Sequence, residues 1–480
     1  MWFQSTCNLL AQPIQLNAKY RVPTALAVAA SISLIIWLYL ASARGMFWRL
    51  RDFDDDRANH ESPSTWPSVV AVVPARNEAA HIREAVTSLL QQNYPGEFSV
   101  IVVDDHSEDG TAELAQQAAR DLNAESRIQI HLAPPLPRGW TGKLWALNSG
   151  TGTPACAPTT SIPPRSTATS RTASSNPSTP ASVPTYYWFT DADIFHAPDT
   201  LHRLVARAEH NRLDLTSLMV LLQAKTLPER LLIPAFLFFF LKLYPPRWIA
   251  NPKAKTAGAA GGCILLRTEA LQRMGGLAAI RSEVIDDCAL AQAVKVAQPF
   301  LAVLRRPPSS NTQPSLPDQQ SHGHPGPDLA QNLSPGRIWM GLTRRSISLR
   351  AYNSFAEIRD MIARTAFTQL HYSPALLLGT VAGMLLTYIA PVALLFAHNI
   401  TTQILAACAW TLMFLLYLPT LRFYSLSPLW APALPAVAAF YSYATILSAL
   451  RYYLGRGAQW KGRSQSSPRR TVSSGDPTSS

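Results

Sequence analysis

An unbroken apolar run from Pro23 to Ser42 places the first constraint on the fold. It is about the length, roughly 20 residues, at which a helix crosses the hydrocarbon of a bilayer, where every backbone polar group must be satisfied within the segment. Three further apolar stretches lie near the C-terminus: Pro374–Ala397, Thr402–Leu421 and the proline-broken Pro428–Leu450. Charged residues make up 15% of the 480, against about a quarter in soluble domains. Both observations point to a membrane protein with an anchor at 23–43 after a segment 1–22, helices over 374–450 and a basic, disordered tail at 451–480. Arg44, Arg49 and Arg51 follow the first run and Lys19 and Arg21 precede it, a slight bias that places the downstream side in the cytoplasm. Ala41-Ser42-Ala43 resembles a signal-peptidase site, but the run is long for a signal sequence. Four spans would put the basic tail (Arg451, Arg456, Lys461, Arg463) outside, against the positive-inside rule. The expected count is therefore three or four, with the third C-terminal segment crossing, re-entrant or interfacial.

The net charge of +12 suits nucleic acid or an anionic membrane surface. Much of the basic charge flanks apolar spans, and no zinc-finger, homeodomain or RNP-like pattern occurs, so the bilayer is expected as a partner and nucleic acid is not. Cys7, Cys156, Cys263, Cys288 and Cys408 are scattered and indicate neither a disulfide framework nor a zinc site.

Between the apolar ends, residues 67–300 read as a soluble α/β domain. Ser68–Val73 and Phe98–Val103 are β-branched runs, each followed by a helical pattern, the mark of parallel βαβ units with helices on both faces of the sheet. Two stretches, 150–184 (Ser, Thr, Pro, Ala) and 299–335 (Pro, Ser, Gln, His), cannot bury a core. They read as disordered insertions or as locally shifted reading frames. His322 and His324 in the second read as solvated rather than as metal ligands. Residues 336–373 read as the end of the domain with interfacial helices. Leu231–Leu243 is strongly apolar but short for a span, and reads as an interfacial helix or a buried core helix.

Acidic and glycine-rich junctions punctuate this domain. Asp191-Ala192-Asp193 follows the apolar run Tyr186–Phe189; in extended chain, residues i and i+2 share a side, so two carboxylates there can share one hard cation with a bound diphosphate. Pro74, Arg76, Asn77 and Glu78 end the first strand and open a helix, where free N–H groups suit a phosphate or nucleotide, unless the segment is an ordinary strand–turn–helix junction. Asp104 and Asp105 end the second strand in the crevice where α/β sheets bind ligands, while Ser107, Asp109-Gly110 and Thr111 supply turn and cap chemistry. Lys143, in Arg138–Lys143, touches a donor phosphate or is a solvated loop lysine; the stretch is not a Walker motif. Gly261-Gly262 before Ile264–Leu266 permits close backbone approach to a ligand or forms a plain turn. Asp286-Asp287 at a helix start is either a pair of acids favoured by the dipole or a pair whose repulsion raises one pKa toward that of a general base.

Taken in order, Pro-Ala-Arg-Asn-Glu (74–78), Val-Asp-Asp-His-Ser-Glu-Asp-Gly-Thr (103–111), Gly-Lys (142–143), Thr-Asp-Ala-Asp (190–193), Gly-Gly (261–262) and Asp-Asp-x-x-Leu (286–290) resemble the inverting family 2 glycosyltransferases over residues 67–300. Trp188–Ile194, Gly336–Arg345, Ala363–Leu370 and Trp460–Arg463 resemble the hopanoid-associated membrane branch of that family. The resemblance implies a GT-A-like fold and transfer of a sugar from a nucleotide-diphosphate donor to a lipid hydroxyl, hopanoid or other isoprenoid, at a bacterial inner membrane with the catalytic domain cytoplasmic. It implies that Asp104 and Asp105 contact the nucleoside, that Asp191 and Asp193 hold Mg²⁺ or Mn²⁺ against the diphosphate, and that Asp287 is the base, beside Asp286 where the family commonly has Glu. The Gln-x-x-Arg-Trp element of processive members is missing, which favours transfer of a single sugar. A nucleotidyltransferase-like enzyme would want a Gly-rich basic signature at the first strand, which Pro74–Glu78 lacks; a catalytically impaired membrane scaffold is the other alternative.

Overall fold

The computed structural model describes residues 18–50, 63–152, 183–296 and 335–455, with 459–460 and 463–464. The segment 1–17, most of both low-complexity stretches with His322 and His324, Cys7 and Cys156, and most of the basic tail lie outside the described residues. The described chain divides into two compact units interleaved in sequence. One draws on Met1–Leu50, Ala224–Leu243 and Asn353–Leu450, the other on Arg51–Gln223, Tyr244–Tyr352 and Arg451–Ser480.

The second unit is built on an eight-stranded sheet. Its strands are β1 (Val69–Ala75), β2 (Phe98–Asp104), β3 (Ile128–Leu132), β4 (Tyr186–Phe189), β5 (Ile194–His196), β6 (Leu215–Leu221), β7 (Ile264–Arg267) and β8 (Ile338–Ser348), in the order β3-β2-β1-β4-β7-β6-β8-β5. From β3 to β4 all pairs are parallel. Beyond β4 the sheet is mixed: β7 runs antiparallel to β4 and β6, β8 parallel to β6, and β5 antiparallel to β8. The βαβ expectation therefore holds for the first half, and the second half is closed by antiparallel β7 and β5.

The strands bury because their side chains are β-branched or aromatic on both faces. Val69, Ala71, Val72 and Val73 of β1 and Tyr186 and Trp188 of β4 are at or near full burial. Truncating Trp188 to Ala should cost about 3–5 kcal/mol by cavity formation. Helix α2 (Ile82–Leu90) turns Ile82, Val86 and Leu89 onto the sheet, an amphipathic spacing of three and four. Helices α3 (Thr111–Asp121), α4 (Gly142–Gly150) and α5 (Thr200–His210) complete the units around the strands. At Gly150 a Cβ would strike Val72, so α4 packs on β1 at glycine distance. Two short helices, Pro246–Ile249 and Thr268–Arg273, flank β7, and a third, Asp286–Val296, carries the acid pair.

The other unit is helical. It holds α1 (Ala18–Ser42), α6 (Leu227–Leu243) and the helices of the C-terminal third. Among the described residues, four segments are long and apolar enough to cross a membrane: Thr24–Ser42, Pro374–Leu394, Ile400–Phe423 and Pro428–Tyr453. The proline-broken third segment is accommodated by a 3₁₀ turn, Pro428–Ala433, followed by a regular helix, Leu434–Tyr453. In Pro374–Leu394, a π-helical turn at Leu385–Ile389 precedes Pro391, where the missing N–H and the ring break the regular i→i−4 ladder. Ala30 packs on Ala406 and Leu394, the small-residue contact by which helices approach closely in lipid. Leu231–Leu243 is not a surface-lying helix within this unit. As part of α6 it buries Leu232, Leu237, Phe238 and Leu241, sets Phe238 against Tyr417 and Phe239 against Tyr388 and Tyr441, and its Leu232 carbonyl accepts from the Tyr441 hydroxyl at 2.9 Å.

Candidate active site

The carboxyl ends of β1, β2 and β4 and the start of the helix Asp286–Val296 bring the sequence-selected residues to one region of the sheet unit. Parallel strands end there with their acidic residues on loops, the place where open α/β sheets bind ligands. A cleft is lined by Lys143, Thr190, Asp191, Asp286 and Asp287, together with Pro74, Gly261, Leu144, Phe189 and Leu290.

Lys143 is the hub. It stands at the start of α4, with its Nζ 2.9 Å from Asp191 Oδ1 and 3.2 Å from Asp286 Oδ2. Burial opposes its charge, but Asp191 and Asp286 outweigh that and keep the ammonium protonated. It is thus a fixed cation, not the solvated loop lysine of the alternative reading. Gly261 follows from this arrangement. A Cβ there would sit 3.2 Å from Lys143 Nζ and 3.5 Å from Asp287 Oδ2, and the Gly261 N–H donates to Asp287 Oδ2 at 2.9 Å. Gly262 has a packing reason instead, because its Cβ would press on Val220 at 3.1 Å.

Asp287 takes hydrogen bonds from Gly261 N and Cys288 N. Burial and then the neighbouring charge of Asp286 push its carboxyl up to about 6, against the pull of Lys143 and the two N–H groups. A carboxylate held near neutrality in a cleft is poised to take a proton.

Asp191 and Asp193 do not lie in extended strand as their spacing suggests. β4 ends at Phe189, and Asp191-Ala192-Asp193 forms a turn that leads into β5. The turn still keeps the two carboxylates within electrostatic reach. Burial, then Asp191, then Glu78 raise the Asp193 carboxyl to about 6, with Arg350 opposing. Among the described residues no group of three or more His, Cys, Asp or Glu side chains is placed to hold a metal ion. Two carboxylates there would leave the rest of a hard cation's shell to phosphate and water.

The turn is fixed from behind by His196, Ser346 and Leu349, which the sequence motifs do not mark. Thr190 Oγ1 lies 2.8 Å from His196 Nε2 and donates to the Gly262 carbonyl at 3.0 Å. His196 Nδ1 lies 2.8 Å from Ser346 Oγ of β8. Burial pushes the His196 pKa down to about 3, so the ring is neutral and bridges two hydroxyls. Leu349 N donates to the Asp193 carbonyl at 2.7 Å, which sets Arg350 beside the turn. A lone polar residue inside an apolar strand, such as His196, was the available signal.

The Pro74–Glu78 segment differs from its expected role. Helix α2 begins only at Ile82, and the N–H groups of residues 77–79 are not free: they donate to Ser107 Oγ, Thr111 Oγ1 and Asp109 Oδ2 at 2.9–3.0 Å. Asn77 takes a left-handed backbone (φ 51°) and accepts from Glu108 N at 3.0 Å instead of capping a helix. The segment is stitched to the loop after β2. Asp104 accepts from Ser107 N at 3.2 Å and from the Ser107 hydroxyl, and so holds that loop. Asp105 is buried beside Arg76, whose Nη1 is 3.5 Å from its carboxylate.

Residues 70–151 match the model of glycosyl transferase family 2, and residues 174–319 match that of glycosyl transferase family 21. Glycosyltransferase AglE of Haloferax volcanii is 42% identical over 55 residues, which is 11% of this chain and 18% of that protein. The chain thus spans under a fifth of that relative's length. Among solved structures, the mannosyltransferase PcManGT from Pyrobaculum calidifontis, in complex with GDP-Man and Mn²⁺, is 16% identical with a TM-score of 0.49, covering 89% of this chain and 98% of that one. Staphylococcus aureus TarS 1–349 with UDP-GlcNAc is 12% identical with a TM-score of 0.33, covering 82% of this chain and 95% of that one. The family 2 model spans Pro74–Glu78, Asp104, Asp105 and Lys143, and the family 21 model spans Asp191, Asp193, Gly261 and Asp287. The unit that carries the cleft is a GT-A-like α/β glycosyltransferase domain.

Proposed function

We propose that this chain is a membrane-bound inverting glycosyltransferase that moves one sugar from a nucleotide-diphosphate donor to a lipid hydroxyl, a hopanoid or other isoprenoid alcohol. The observation that carries this reading is the shared cleft: a fixed cation, Lys143, faces Asp191 on one side and Asp286 on the other, with Asp287 at Gly261. Asp105 and Arg76 at the ends of β2 and β1 face the nucleoside, with Asp104 holding their loop in place. Lys143 faces the diphosphate and the leaving oxygen, where positive charge is worth most as negative charge develops. Mg²⁺ or Mn²⁺, held by Asp191 and Asp193, would supply further charge neutralisation to the diphosphate. Asp287 accepts the acceptor's proton as its oxygen attacks the anomeric carbon from the face opposite the leaving group, which inverts the configuration. The four apolar helices support a multi-pass protein, which we place in a bacterial inner membrane with the sheet unit in the cytoplasm.

The test is transfer itself. Membranes containing the chain, or its Asp287→Asn variant, are incubated with labelled nucleotide sugars, Mg²⁺ or Mn²⁺ and extracted bacterial lipids. The expected result is label in the lipid phase for the parent, dependent on metal and reduced by about 10²–10⁴-fold in the variant. Absence of label with every donor, from folded protein, would overturn the proposal.

A further inference from the structure

The helical unit holds a lysine that the cleft does not use. Lys242 is the only charged residue in the run Leu231–Leu243. A lysine in the last turn of a helix ordinarily complements the terminal carbonyls. Here Arg44 does so in its place, its Nε donating to the Lys242 carbonyl at 2.9 Å and its Nη2 to the Leu243 carbonyl at 3.3 Å. The Lys242 ammonium turns away instead. It donates to Tyr388 Oη at 2.9 Å and lies 5.1 Å from the centre of the Phe239 ring and 4.9 Å from that of Tyr388. Among the described residues the charge acting on it is that of Arg44, another cation. Among the described residues, two cations therefore meet at the end of α6, and the ammonium has a hydroxyl and two ring faces but no carboxylate as partners.

Charge placed this way is expensive in an apolar unit unless an anion arrives, and an ionisable group among membrane helices marks a functional site. The surroundings say where the anion comes from. Just past α1, Trp48 Nε1 donates to the Ala41 carbonyl at 2.9 Å and Arg49 lies over the Trp48 ring at 5.0 Å. A Trp–Arg belt at the end of an apolar helix is the sign of the headgroup layer. Trp37, within α1, meets Tyr388 edge-on with centroids 5.4 Å apart, so the Lys242 cage lies just beneath that belt.

We propose that Lys242, seated between Tyr388 and Phe239, is the contact point for the phosphate of an anionic lipid headgroup. This site belongs to the helical unit and stands apart from the identity of the acceptor. The purified full chain, stripped of lipid, is placed in nanodiscs of phosphatidylcholine with or without phosphatidylglycerol. Thermal melting is followed, and co-purifying lipid is counted by native mass spectrometry, for the parent, Lys242→Gln and Lys242→Arg. Phosphatidylglycerol should raise the melting midpoint of the parent and of Lys242→Arg. Lys242→Gln should bind it about fivefold more weakly, the worth of one lysine near an anionic surface, while melting like the parent in phosphatidylcholine alone. An equal response in Lys242→Gln, or an equal rise produced in the parent by inorganic phosphate without phosphatidylglycerol, would overturn the proposal. Should Lys242→Gln fail to fold, Tyr388→Phe, which keeps the ring and loses the hydroxyl that seats the ammonium, carries the same comparison.

Discussion

Asp287 has the surroundings of a base whose proton affinity is set by its neighbours. Burial and Asp286 raise its carboxyl to about 6 while Lys143 holds it down. A base acts in its deprotonated form, so kcat/KM should fall as pH drops through about 6 and level off above it. Removing the cation in Lys143→Met should move this acid limb to higher pH; initial rates across the acid range check both, and an unmoved limb would point to another base. Asp193 supports a second expectation. EDTA should abolish transfer and Mn²⁺ restore it, and Asp193→Asn should need about tenfold or more Mn²⁺ for half-restoration, the usual scale for perturbing a metal site. The acids were legible in the sequence because each sits where local pattern ends a strand or starts a helix. Lys143 was legible as a candidate but not as a bridge, because Asp191 and Asp286 reach it only through tertiary folding. His196 and Arg350 left almost no mark, since their partners Thr190, Ser346 and Asp193 are fixed by the pairing of β5 with β8.

At the scale of elements, two glycines separate function from stability. Gly261 has no positive φ, so an alanine is compatible with its backbone, and its Cβ would meet the tip of Lys143 and the Asp287 carboxylate. Gly261→Ala should melt within a few degrees of the parent and lose on the order of tenfold to a hundredfold in rate, because small displacements of reacting groups are costly. Gly150→Ala should do the reverse. Its Cβ would drive α4 off Val72 of β1, so about 1–3 kcal/mol of overpacking is expected, partly offset by about 1 kcal/mol of helix propensity, with rate per folded molecule retained. Denaturant unfolding beside initial rates distinguishes the two. β1 and β2 were legible because β-branched runs on a parallel sheet need no partner to be recognised. β8 was not: Ile338–Ser348 carries Arg344 and Arg345 in its middle, and it is a strand because β6 and β5 flank it. The Pro74–Glu78 turn misled for a similar reason, its N–H groups being consumed by side chains from the loop after β2.

At the scale of the whole molecule, the two units cannot be separated by trimming the ends. The sheet unit's chain leaves it after Gln223, contributes α6 to the helical unit and returns at Tyr244. Leu232, Leu237, Phe238, Phe239 and Leu241 of α6 are buried by tertiary contacts, and Phe238, Phe239 and Leu232 meet Tyr417, Tyr388 and Tyr441 of the C-terminal helices. A chain cut to residues 51–352 keeps α6 and loses those partners. Each large apolar side chain so exposed forfeits about 1.5–3 kcal/mol of burial, and together they form a contiguous patch of the kind that drives association. This fragment should aggregate or need detergent. The same fragment with Ala224–Leu243 replaced by a flexible Gly/Ser linker should be monodisperse without detergent and should retain donor binding, since the residues lining the cleft all belong to the sheet unit. Size-exclusion profiles of the two fragments decide the matter. If the fragment that keeps α6 runs as a detergent-free monomer, the helix belongs to the sheet unit after all; if the linker fragment aggregates as well, the sheet unit depends on more of the helical unit than α6.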